Sequence, residues 1–171
     1  FDQVKEDKID ENLSIRVSKK NVSHFFQIID TKISLKIFLD KLMKQSEVAF
    51  KLLLDHHNPL LSNLVGISFC WNKDKVYYID YLTIQKTDKK ILQKIKLFFE
   101  DHSIKKISDN LKHDIKSLEK HDISINGEIF DTMLAHYLIN PDINHTTEVL
   151  SENYLNYSIN QEASNLDNTS E

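Results

Sequence analysis

Asp55-His56-His57 places one carboxylate and two imidazoles on consecutive residues. Neutral imidazoles and a carboxylate suit Mn²⁺ or a similar ion, and two such ions can activate water against a phosphodiester. A two-metal site needs further carboxylates, and no Asp-x-Asp occurs anywhere in the chain. The plain alternative is that His56 and His57 stand exposed in the turn after a strand, and the residues favour it. Other chemistry-bearing residues have similar alternatives. Trp71 could stack a base but reads as a turn anchor. The run of Lys89, Lys90, Lys105, Lys106, Lys112 and Lys116 could face phosphate, but reads as a solvated helical surface. Cys70, the sole cysteine, lies in an apolar strand pattern and reads as a buried, inert thiol.

The elements that must position these residues follow from periodicity. Residues 24–29 are dense in aromatic and β-branched types and predict a strand. Asp30 or Thr31 can cap the next helix, whose apolar face takes Ile33, Leu35, Ile37, Phe38, Leu39 and Leu42. Strands are expected at 47–54, 64–70 and 75–81, the last two joined by a hairpin turn at 71–75. A helix is expected at 88–101 and a short strand at 104–108. Asp109 or Asn110 then caps a helix running to about residue 121. A helix begins near Asp131 and stops before Pro141, and a last one spans 146–155. This order predicts a mixed α/β sheet with helices on both faces.

Composition narrows the function classes. The chain has 171 residues, a net charge of −4 and two glycines. The glycine count excludes phosphate loops and dinucleotide fingerprints. The charge argues against strong independent binding to a nucleic-acid backbone. No apolar run reaches membrane-span length, and the single cysteine fits a reducing, cytoplasmic compartment. Because the first residue is Phe1 rather than Met, a piece of a longer protein is expected. We expect a polar linker at 1–22, a domain at 23–157 and a polar, acidic tail at 158–171 that opens a further region.

Two resemblances bear on function. Leu52-Leu53-Leu54-Asp55-His56-His57 resembles the motif of the Asp-His-His phosphoesterases, but rests on three residues. Far more of the chain, from Phe25 to Tyr157, resembles the 3′→5′ exonuclease domain of A-family bacterial DNA polymerases. The blocks are Asn63–Phe69, Asn110-Leu111-Lys112-His113-Asp114, Phe130-Asp131-Thr132-Met133-Leu134 and Leu150-Ser151-Glu152, in order. The resemblance implies a ribonuclease H-like (DnaQ-like) fold, a mixed five-stranded sheet flanked by helices. Active members hold two divalent metals with carboxylates from three motifs.

Carried over by position, the second motif is present: Asp114 stands on a metal-ligand position, with His113 in place of the usual Tyr. The first motif is not. Lys51 falls on its Asp position and Leu53 on its Glu position. The third, Tyr-x-x-x-Asp, does not occur in these residues. Lys51 brings only donors and a positive charge to a cation site, and we expect its ammonium to pair with Asp114. Asp131 reads as a helix cap. Asp55 lies roughly 13 Å along the strand from Lys51, too far to replace a lost ligand. The expectation is a vestigial, catalytically silent domain, with no metal or other cofactor. It would pack on the polymerase domain of its parent and meet DNA through that parent, without a membrane. Two alternatives stay open. One is an active nuclease or phosphoesterase using Mg²⁺ or Mn²⁺ at Asp55, His56 or Asp114. The other is a stand-alone ribonuclease H-like module that binds nucleic acid.

Overall fold

Apolar alternation and helical periodicity resolve into six strands and six helices among the described residues. This computed structural model describes residues 25–73 and 75–157, so the expected linker at 1–22 and tail at 158–171 lie outside it. In chain order the elements are β1 (Phe25–Ile29), α1 (Lys32–Leu42), β2 (Glu47–Leu54), β3 (Leu64–Asn72) and β4 (Lys75–Asp80). Then come α2 (Tyr81–Thr87), α3 (Ile91–Glu100), β5 (Lys105–Ser108), α4 (Leu111–Glu119), β6 (Ile129–Asp131), α5 (Thr132–Ile139) and α6 (Thr147–Leu155).

The strands form one mixed sheet in the order β1-β4-β3-β2-β5-β6. The β2–β3 and β3–β4 pairs are antiparallel, and the other three are parallel. The expected five-stranded sheet therefore gains a sixth strand. β6 is only three residues long, too short to show an alternating pattern, and it adds to β5 through Lys106↔Ile129 and Ser108↔Asp131.

One sheet face carries Phe50, Phe69 and Tyr77 in register. Helices α1 and α3 cover it. Phe38 of α1 meets the rings of Phe69 and Tyr77 at 5.3 and 5.4 Å, while Phe98 and Phe99 of α3 meet Phe69 and Phe50 edge-on. Such pairs add to the burial of large apolar area. Helix α1 starts at a reciprocal cap: Thr31 Oγ1 accepts from the Ser34 amide, and Ser34 Oγ accepts from the Thr31 amide. Its buried stripe is Leu35, Phe38 and Leu42. Ile33 and Ile37, 75% and 51% exposed, fall outside the wide apolar face expected of them.

Four further expectations change. Trp71 is not in a turn: β3 runs through Asn72, and the indole stacks on Tyr77 at 4.5 Å. Residues 81–87 form α2, which Asp80 starts by accepting from the Thr83 amide. Lys106 is not on a solvated face. It is wholly buried, its ammonium donating to the carbonyls of Asp101 and Asn126 and lying over the Phe98 ring. Burial lowers its pKa, since the charged form is the one desolvated. Cys70 is half-buried, with its thiol donating to the Asn72 carbonyl.

Candidate functional site

The opposite sheet face carries Lys51, which lies beside Ser68 of β3, itself beside Tyr78 of β4. Side chains alternate along β2, so Lys51 and Leu53 share this face. Next to Leu53 sits Gly66, and a Cβ there would fall inside the Tyr78 ring. The missing side chain lets the phenol lie flat on the strand. The Tyr78 hydroxyl is pushed up by burial and then by the Asp80 charge.

The parallel pairing of β2 with β5 sets the charge arrangement. Ala49 registers with Ile107. Two residues further along both chains, Lys51 meets Asp109. Its ammonium donates to both carboxylate oxygens, at 2.5 and 2.7 Å. The Thr147 hydroxyl of α6 donates to the same carboxylate. Burial pushes the Asp109 carboxyl up, but the hydrogen bonds from Lys51 and Thr147 and the Lys51 charge outweigh it. The group sits below the ordinary carboxylate range.

Asp114 is on the buried side of α4, only 3% exposed. Asn110 caps that helix, its side chain accepting from the His113 amide. The Ser108 hydroxyl donates to Asp114 Oδ2 at 2.6 Å. Burial pushes the Asp114 carboxyl up to about 6, against the pull of the Ser108 hydrogen bond and the Lys51 charge, and the nearby Asp109 charge adds to the rise. The expected Lys51–Asp114 pair is thus replaced: Lys51 bonds Asp109 and reaches Asp114 only through its field. Asp114 is partnered by a neutral hydroxyl instead.

The remaining predicted residues hold the frame. Asp131 caps α5 by accepting from the Leu134 amide, as expected, and its other oxygen accepts from the Leu111 amide at the start of α4. One carboxylate therefore anchors two helix starts. Asp55 accepts from the backbone and side-chain amides of Asn63 at 2.6 and 2.9 Å, closing the loop after β2. Those two bonds lower its pKa. His56 Nδ1 accepts from the Asn58 amide, and His113 Nε2 donates to the His57 carbonyl. The Asp-His-His stretch is a hydrogen-bonded loop, not a convergent ligand set. Among the described residues, no three His, Cys, Asp or Glu side chains are placed to share a metal ion. Sequence reasoning missed three members of the site: Asp109 as an ion-pair partner, Ser108 and Thr147. Asp109 had signalled only as a cap candidate.

The 3′-5′ exonuclease family found in A-type DNA polymerases matches residues 26–170. The chain belongs to that family. Curated relatives include DNA polymerase I of Synechocystis, 31% identical over 140 residues, and DNA polymerase I of Borreliella burgdorferi, 30% identical over 135. Those matches take in 75% and 76% of this chain, which spans 14% of each relative. Solved structures similar in fold include Trypanosoma brucei RNase D bound to RNA, with TM-score 0.69, 14% identity, and coverage of 85% of this chain and 52% of that one. Escherichia coli RNase D gives 0.65 at 15% identity, covering 81% and 36%. Pol1 of M. smegmatis gives 0.64 at 18%, covering 78% and 23%. The ribonuclease H-like, exonuclease-type architecture is thereby established. No helix among the described residues is long and apolar enough to cross a membrane.

Proposed function

We propose that this chain is a catalytically silent 3′→5′ exonuclease-like domain of a bacterial DNA polymerase I. It supports DNA synthesis in cytoplasmic replication and repair by the rest of that protein, and meets DNA through it. The observation that carries this reading is the Lys51–Asp109 ion pair beside Asp114. A Mg²⁺ or Mn²⁺ pair needs several carboxylates converging on it. Here one carboxylate is already neutralised by an ammonium of the chain itself, a second is buried with its carboxyl pushed up to about 6 and bonded to Ser108, and Leu53 has no lone pair to offer. The donor set does not suit the metals that active relatives would use.

A scaffold role has separate support in the last two helices. Leu134, Leu138, Ile139, Tyr154 and Leu155 are all exposed. Of these, Ile139, Tyr154 and Leu155 line an open apolar groove of about 540 Å³ between α5 and α6. A surface this apolar on neighbouring helices suits packing against further polypeptide. The polymerase domain of the parent is the occupant we assign.

Calorimetric titration of Mn²⁺ into the chain tests the silent-site reading. The natural chain should give no saturable heat, and Asp114→Asn should leave the titration unchanged. Saturable binding that Asp114→Asn abolishes would put an active metal site back in this cleft.

A further inference from the structure

His136 of α5 is buried, 3% exposed, and its Nδ1 lies 2.7 Å from Nδ1 of His145 in the connection to α6. Two imidazole nitrogens at that distance need one proton between them. Two lone pairs, or two N–H groups, would repel. The other nitrogen of His136, Nε2, is buried with no hydrogen-bond partner. A proton there would be an orphaned buried donor, which proteins avoid more strictly than a bare acceptor. His136 therefore carries its proton on Nδ1 and donates. The half-buried His145 accepts at Nδ1 and keeps its own proton on Nε2.

The surroundings give a second proton no counter-charge. The rings facing the pair are Tyr154 from α6 and Tyr137 from α5, and Tyr154 meets His136 edge-on at 5.5 Å. Asp142, Glu148 and Glu152, from the connection and from α6, are exposed, and no described ion pair includes either imidazole. Asp131, at the start of α5, is committed to the Leu134 and Leu111 amides.

We propose that His136 and His145 form a one-proton latch that fastens the α5–α6 connection in neutral solution and releases it in acid. A proton arriving at His145 Nδ1 removes the only acceptor and sets two N–H groups against each other. The connection then opens and α6 loosens. Because α6 carries Thr147, whose hydroxyl caps Asp109, the release reaches the cleft.

Nitrogen-15 spectra of the histidine rings in the 171-residue chain test the proton assignment directly. At pH 8 His136 should show the Nδ1–H tautomer and His145 the Nε2–H tautomer. Between pH 8 and 5, amide protection at Leu150 and Ser151, corrected for intrinsic exchange, should fall about tenfold, the scale of one lost hydrogen bond. His145→Asn supplies an acceptor that does not titrate, and should hold protection down to pH 5. His145→Ala should show the low value already at pH 8. A His136 proton found on Nε2 would overturn the proposal without reference to any variant. So would a His145→Asn chain that loses protection as the natural one does.

Discussion

The two faces of the sheet are built on different terms. On the α1–α3 side, Phe38, Phe50, Phe69, Tyr77, Phe98 and Phe99 pack ring against ring, and stability comes from apolar area. On the cleft side, the contacts are charged and polar: Lys51 with Asp109 and Thr147 with Asp109 span long stretches of chain, and Ser108 with Asp114 ties β5 to α4. The aromatic face explains why the domain folds. The cleft face, in our proposal, holds an altered form of the family's site, and it should contribute little to stability. Losses should therefore be large on one side, and small or even negative on the other.

Phe69→Ala should show the largest effect. It empties the centre of the aromatic face and should cost about 3–5 kcal/mol in urea-induced unfolding. A cost below that of the cleft variants would break the comparison. Lys106→Ala comes next, at about 2–3 kcal/mol, because it takes the ammonium from two part-buried carbonyls and opens a cavity.

Asp114→Asn should act in the opposite sense. The natural carboxyl is raised from 3.8 to about 6 in the folded chain. Between those values the folded state holds a proton that the unfolded state releases. Stability therefore falls as pH rises through this window and stays low above it. An amide removes the penalty and still accepts from Ser108. The variant should be more stable at pH 7 by on the order of 2–3 kcal/mol and should lose the dependence between pH 4 and 6. Chemical denaturation at several pH values checks this. Lys51→Ala should change stability least, by about 1 kcal/mol or less, since the ammonium is more than half exposed.

The same contrast governs what the sequence could reveal. Helix faces and strands on the aromatic side follow local periodicity, so β1 to β5, α1 and α3 to α6 are legible within a few residues. The capping roles of Thr31, Asn110 and Asp131 are legible too, because each acts on its immediate neighbours. Helix α2 and strand β6 are short and borrow their stability from neighbours, so no pattern announces them. The positions of Lys51, Leu53 and Asp114 came through the family's motifs. Their partners did not, because the parallel register of β2 on β5 decides which acid faces Lys51. Asp109 and Asp114 lie close in sequence, on either side of the Asn110 cap, and only that register decides between them. Lys106 was misread for a similar reason: composition sees a lysine among lysines, whereas the fold places it under α3.

In the proposed silent site, an ammonium of the chain itself stands where a catalytic cation would be held. Crystals of the chain soaked in Mn²⁺ and read for anomalous signal test it most directly. We expect no peak in the cleft, with Lys51 Nζ still on Asp109. A peak between Asp114 and Asp109, with Lys51 swung away, would contradict it.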